Sequence, residues 1–205
     1  MLSIGPIELG GDEVLLRPLF EADIAALAQA ARESREHYRL NLVPDGLEET
    51  PEYVARALLQ LEKGERYPFV IRWNQRVVGS TSYLLYQPWV WPPGCKLQRS
   101  DRPDVVEVGA TWLAASAQRT RCNTEAKFLL LRHAFEVWGV HAVKLRTDVR
   151  NQRSRQAIER LGAKFDGLIR ADMPGRDCTV RDSAHYSILA AEWPAVKAKL
   201  EERLR

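Results

Sequence analysis

Glu107 stands in Val105-Val-Glu-Val-Gly-Ala-Thr-Trp-Leu113, an apolar run with strand character that ends in a polar stretch, Ser116 to Thr120. Arg121-Cys-Asn-Thr-Glu125 follows and opens a strongly apolar helical pattern, Ala126 to Trp138. About thirty residues after the first turn, Asn151-Gln-Arg-Ser154 begins a second helical pattern directly behind another strand-like run. A strand that turns into a helix presents the unpaired amides and positive dipole end of the first helical turn to whatever lies in the turn. Two such units side by side fit an elongated, phosphorylated ligand. A carboxylate among apolar neighbours has its charged form disfavoured, which suits a general base. Strand alternation puts Glu107 on one face with Val105, Gly109 and Thr111. The bland alternatives are a strand glutamate paired with an arginine, a Ser154 that bonds only backbone, and an Asn151 that is a plain helix cap.

The elements around these residues follow from periodicity. Val14–Leu19 reads as a strand, and Asp23–Arg35 as a helix with Ile24, Leu27, Ala28 and Ala31 on one face. Thr50 as cap and Pro51 at the first helical position signal a second helix, which Gly64 ends. Tyr67–Trp73 and Arg76–Tyr86 form a hairpin about Asn74-Gln75. From Val105 the order is strand (105–113), helix (123–138), strand (142–149), helix (151–161), and two consecutive strand-helix units imply parallel pairing. Lys164–Arg170 and Val180–Leu189 make a last hairpin around Pro174-Gly175, and residues 192–205 a C-terminal helix. Residues 87–104 hold Trp89, Trp91 and four prolines without periodicity. Connections of this length serve as lids or interfaces, or pack on their own domain. A dimer contact or part of an acceptor pocket, beside helices 23–35 and 50–63, are the two functional options.

Composition narrows the class. A length of 205 residues predicts one domain, spanning 1–205, and a chain that buries roughly 70% of its unfolded surface. A net charge of +3 is too mild for a nucleic-acid partner. No apolar window approaches a membrane span and no leader pattern stands at the N-terminus, so a cytoplasmic location is expected. Cys95, Cys122 and Cys178 are odd in number and widely spaced, and share no metal-ligand spacing with His37, His141 or His185. No metal is expected. His133, in an apolar helix, reads as a core residue.

The element order, with Glu107-Val-Gly-Ala-Thr-Trp-Leu, Ala117-Gln-Arg-Thr, Asn123-Thr-Glu-Ala-Lys127, Leu129-Leu-Leu-Arg-His-Ala-Phe135, Asn151-x-x-Ser-Arg-x-Ala-Ile-x-x-Leu-Gly162-Ala-Lys-Phe165 and Arg181-Asp182, resembles the GCN5-related N-acetyltransferase family. Within it the chain is similar to the branch that acetylates ribosomal-protein N-termini, which also holds enzymes for other amines. The resemblance implies a mixed α/β fold: a mostly antiparallel central sheet with one splayed parallel pair, flanked by helices. It implies acetyl-CoA as co-substrate and a primary amine as acceptor, on a protein N-terminus or a small molecule. The backbone of Thr111, Trp112 and Leu113 would meet the pantetheine, and Gln118, Arg119, Thr120, Arg121, Cys122, Asn123 and Thr124 would hold the pyrophosphate. Asn151 would bond the pantetheine arm, Ser154 would lie near the thioester sulfur, and Glu107 would be the base. Arg121 departs from the glycine usual in the family's phosphate turn. It gives up glycine's access to positive φ and adds a cation beside phosphate. A non-catalytic acyl-CoA-binding or regulatory module with a degenerate turn is the alternative reading.

Overall fold

The computed structural model describes residues 4–86 and 88–205. Residues 1–3 and Gln87, the first residue of the aromatic loop, lie outside that range. The strands are β1 (Leu9–Gly10), β2 (Val14–Pro18), β3 (Arg66–Trp73), β4 (Arg76–Leu84), β5 (Val105–Leu113), β6 (Ala142–Asp148), β7 (Lys164–Pro174) and β8 (Val180–Leu189). They form one sheet in the order β1-β2-β3-β4-β5-β6-β8-β7. Every neighbouring pair is antiparallel except β5 and β6. The helices are α1 (Ile24–Arg32), α2 (Gly46–Glu62), α3 (Cys122–Arg132), α4 (Gln152–Arg160) and α5 (Trp193–Leu204). The mixed α/β sheet with a single parallel pair is the expected fold class.

Contacts at known register sort the helices by face. Tyr53 of α2 accepts hydrogen bonds from Arg66 and from the Trp112 indole, so α2 covers the face that carries Leu84, the partner of Arg66. The Tyr83 hydroxyl, on the opposite face, donates to the Leu130 carbonyl of α3. Tyr186 likewise bonds Glu159 of α4, and Phe135 stacks on Trp193 of α5. The face of β8 that carries Tyr186 is thus packed under α4, and α5 packs on α3. The other face of β8 is polar.

Element ends differ from the periodic reading in several places: α1 stops at Arg32 and β4 at Leu84, β7 runs on to Pro174, and β1 was not expected. Helix α2 begins a turn before Thr50, at Gly46. The Thr50 hydroxyl bonds back to the Gly46 carbonyl instead of capping, and Pro51 lies inside the helix. Proline leaves the Leu47 carbonyl without its helical donor, which is tolerable because Leu47 is exposed and water can replace it. After Arg132, α3 widens into a π-helical turn over His133–Trp138. That turn begins where Tyr83 occupies the Leu130 carbonyl, the acceptor an α-helical Ala134 would use. It ends at Gly139, whose φ of 62° closes the helix.

The long connection packs on its own sheet. Fully buried Asp104 accepts from the Trp89 amide at 2.8 Å and the Trp91 indole at 3.4 Å. Trp89 stacks on His141, with ring centroids 5.9 Å apart, and Arg99 donates to the Gly139 carbonyl. Asp104 and His141 immediately precede β5 and β6. The two tryptophans therefore sit where these strands are paired and not where they part, so the option of an acceptor-pocket wall is not met. Asp104→Ala strands several buried donors, and we expect it to cost about 2–4 kcal/mol and to speed amide exchange in residues 88–103. Urea denaturation and hydrogen exchange check this. A variant as stable and as protected as wild type would show that Asp104 does not anchor the loop.

Candidate active site

Strands β5 and β6 pair only through Val105↔Ala142, Val106↔Val143 and Glu107↔Lys144, and then separate. A bulge in β5 accompanies the parting. Gly109 faces Ser82 but Trp112 faces Ser80, so β5 carries an extra residue, and Ala110 adopts a φ of 47°. The bulge reverses the side-chain alternation. Thr111 turns toward α3, where its hydroxyl lies 2.6 Å from the Lys127 ammonium nitrogen and 2.7 Å from the Thr81 hydroxyl. Glu107, opposite Leu84, stays on the α2 face. Strict alternation therefore misplaced Thr111 relative to Glu107, because a bulge inserts one residue into a period of two.

Gly109 makes room for the carboxylate. A Cβ there would meet the Leu84 side chain at 2.9 Å and Glu107 Oε1 at 3.1 Å. Gly109→Ala is expected to displace Glu107 by a few tenths of an ångström and to slow turnover about tenfold. Thiol-release kinetics on the folded variant test this, and an unchanged kcat would refute the positioning argument.

Glu107 is 4% exposed. Burial raises its pKa above the usual carboxylate value, against the pull of Arg146, His185 and Arg181. Arg146 Nε donates to Glu107 Oε1 at 3.0 Å, and Arg146 Nη1 reaches Asp172 of β7 at 3.4 Å. The register Arg146↔His185 and Asp148↔Ser183 places these side chains on Glu107's face of the sheet. The structure therefore holds both readings of Glu107 at once: it is paired with an arginine and still desolvated enough to favour the proton.

The turn after β5 is built without strain at Arg121. Its φ of −67° is right-handed, and the positive φ falls on Arg119, at 60°. The concern that Arg121 needs glycine's freedom is thereby removed. Arg119 and Arg121 are both exposed. Asn123 is not the cap of α3; it lies inside the first turn, after Cys122. The Thr120 hydroxyl accepts from the Cys122 amide at 3.2 Å, while the Asn123 and Thr124 amides have no intrahelical acceptor. Cys122 is buried, and desolvation first, with Glu125 and Glu13, pushes its thiol up to about 12, so it is inert. Gln118 donates to the Leu113 carbonyl at 2.9 Å and accepts from Arg153 at 3.1 Å. Tyr38, between α1 and α2, also donates to the Leu113 carbonyl, at 2.7 Å. That carbonyl is thus engaged within the protein.

Asn151 caps α4 by accepting the Ser154 amide at 3.0 Å, and its side-chain nitrogen donates to Asn41 at 3.0 Å. Ser154 is half-buried in the first turn of α4. The structure brings Glu107 to the point of splay, residues 118–124 to the turn beyond β5, and Asn151 and Ser154 to the turn beyond β6. An extended anionic molecule fits these features: parted strand edges, then free amides of an eleven-residue helix beside two arginines. Arg146, Asn41 and Lys127 escaped the sequence reading. Only the alternation of 142–149 hinted at Arg146; Lys127 stood in the Asn123–Lys127 motif without a role, and nothing marked Asn41. Among the described residues no group of three or more His, Cys, Asp or Glu could hold a metal ion, and no helix is long and apolar enough to cross a membrane.

Residues 13–164 match the family model of the acetyltransferase (GNAT) domain, so the chain belongs to the GCN5-related N-acetyltransferase family. It is an N-acetyltransferase, and the donor used by the family is acetyl-CoA. A candidate acetyltransferase from T. thermophilus is 31% identical over all of both chains, with a TM-score of 0.79. Mycobacterium smegmatis RimJ, solved with CoA-disulfide, is 21% identical with a TM-score of 0.75, covering 98% of this chain and 94% of its own. RimL, a ribosomal L7/L12 alpha-N-protein acetyltransferase solved with coenzyme A, is 17% identical with a TM-score of 0.68, covering 89% and 98%. At those identities RimJ and RimL share the fold alone. No curated relative matches the chain.

Proposed function

We propose that this protein transfers the acetyl group of acetyl-CoA to a primary amine by direct attack of the amine on the thioester. The observation that carries this reading is Glu107: a buried carboxylate with a raised pKa, at the point where β5 and β6 part. RimJ and RimL, which share the fold, were solved with CoA-disulfide and with coenzyme A, and this supports a CoA thioester as the donor.

In this mechanism Glu107 takes a proton from the attacking ammonium or amine, directly or through water, while Arg146 orients the carboxylate. Nitrogen bonds to the carbonyl carbon, backbone amides of β5 hold the oxyanion, and the carbon–sulfur bond then breaks. The Ser154 hydroxyl offers a hydrogen bond to the departing thiolate. The Thr111–Leu113 backbone and Asn151 line the pantetheine, and the pyrophosphate rests on residues 118–124, with Arg121 adding charge. Asn151 can cap α4 through Oδ1 and still serve the ligand if Asn41 releases its nitrogen.

Incubation with acetyl-CoA and a panel of amines and N-terminal peptides, followed by thiol release, tests the activity. Calorimetry with CoA tests the cleft separately. Absence of CoA binding at millimolar concentration would overturn the reading, and binding without thiol release for any amine would replace it with a non-catalytic acyl-CoA module.

A further inference from the structure

The acceptor's chemistry can be read from the charges on the face of the sheet that carries Glu107. Glu107, Lys144, Arg146 and Asp148 line that face from β5 and β6, and Ser183 and His185 continue it on β8. Arg181, two residues before Ser183, falls on the same face by alternation. Each carboxylate here has a cation. Arg146 joins Glu107 to Asp172, and Arg150 joins Asp148 to Asp177 at 2.7 and 2.9 Å.

Arg181 has no such partner among the described residues. Its one hydrogen bond runs from Nε to the Ser183 hydroxyl at 3.0 Å. That contact leans the guanidinium along β8 toward His185 and leaves both terminal nitrogens to another ligand. Arg181 is half-buried. Desolvation first, and repulsion by Arg146, lower its pKa, while Asp148, Asp172 and Glu107 act only from beyond ion-pair distance. His185, two residues beyond Ser183 on the same strand face, has a buried Nε2 without a hydrogen-bond partner, 3.9 Å from Asp172. A half-desolvated guanidinium without a carboxylate is costly to keep, and its planar fork matches a carboxylate in two-point contact.

We propose that Arg181 receives a carboxylate of the acceptor, so that the amines this enzyme acetylates carry an anionic group on the same molecule. This rests on the amine-transfer reading above and adds the substrate class to it. The amine would lie at Glu107 and the carboxylate at the Arg181 guanidinium beside Ser183, along the same face of the sheet. A polycationic acceptor would meet Arg181 and Arg146 with like charge and is disfavoured. The carboxylate belongs to the acceptor and not to the acyl donor, because Arg181 stands on β8 with β6 between it and β5.

The test uses acceptors that differ only in a carboxylate or its amide: Glu-Ala-amide against Gln-Ala-amide, and β-alanine against β-alaninamide. With acetyl-CoA, wild-type kcat/KM should be about 10- to 100-fold higher for the carboxylate member of the better pair, mainly through KM. Arg181→Leu should erase that preference, read as the ratio of the two members within the variant, and Arg181→Lys should restore part of it. Equal rates for both members in wild type, or a preference that survives in Arg181→Leu, overturns the proposal. So does a carboxylate requirement that appears only in the donor, with succinyl-CoA outpacing acetyl-CoA in an Arg181-dependent way.

Binding of the product analogue N-acetyl-Glu-Ala-amide to the CoA-loaded protein gives a readout independent of turnover. Tighter binding than its glutamine counterpart, lost in Arg181→Leu, supports the assignment; equal binding defeats it. Thiol release absent for every amine, with CoA binding intact, sinks the acetyl-transfer reading and leaves Arg181 to be judged on product binding.

Discussion

Glu107→Gln is expected to lower kcat by roughly 10²- to 10⁴-fold, the usual worth of a positioned general base, with little change in CoA affinity. Glutamine keeps the shape and an acceptor for Arg146 but cannot take a proton. In the wild type the rate should fall as pH drops through the raised pKa of Glu107, and this limb should vanish in the variant.

The same residue carries a stability signature of opposite sense to most acidic side chains. Its folded pKa lies above the unfolded value, so between the two the folded chain binds more protons. Stability therefore declines as pH rises through that window, and the burial cost is fully present above it. Glu107→Gln should flatten the decline while inactivating the enzyme. Thiol-release assays and urea titrations from pH 4 to 8 measure both. A Glu107→Gln protein with full turnover would remove Glu107 from the mechanism.

Lys127→Met should produce the largest gain in stability. Lys127 is 6% exposed, and among the described residues its nitrogen meets only the hydroxyls of Thr111 at 2.6 Å and Thr81 at 3.4 Å, with no carboxylate in ion-pair range. Burial alone pulls its pKa down to about 7. Between that value and the unfolded value of 10.5 the unfolded chain binds the extra proton. Stability should therefore rise with pH across this window by about 1.4 kcal/mol per unit, and below it the penalty is complete.

Methionine has similar volume and no charge, and Thr81 and Thr111 remain bonded to each other at 2.7 Å. Near pH 7 the variant should gain a few kcal/mol, and Tm should rise roughly 2–4 °C for each. Its stability should also lose the upward slope between pH 7 and 10. Denaturation across that range decides it: a wild type without the slope, or a Lys127→Met protein less stable than wild type, would show that Lys127 is satisfied where it lies.

Much of the fold was legible because its signals are local. The apolar run Val105–Leu113 marks β5 to the residue, and Asn74-Gln75 marks a hairpin because two residues must adopt positive φ, at 47° and 65°. Asn151 was legible as a cap, and it is one. The site was legible only as a set of candidates. Arg121 looked like a damaged turn because glycine's absence is visible in a sequence, whereas the φ that Arg121 adopts is not. Thr111 was placed beside Glu107 because a period of two was assumed across Ala110, although Gly109 beside it is the kind of strand-interior glycine that often marks a bulge.

The amino-acid sequence by itself determined the order of elements and the strand-turn-helix units, and it singled out the carboxylate proposed as base. These depend on periodicity, caps and turn residues within a few positions of one another. Tertiary structure decided which way Glu107 faces, that Arg146 holds it, that Asp104 anchors the aromatic loop, and that Arg181 is left without a carboxylate. Each of those depends on which strands lie side by side and on how much water is excluded between them. Desolvation and cross-strand register join residues such as Glu107 and Arg146, thirty-nine positions apart, and no local pattern encodes them.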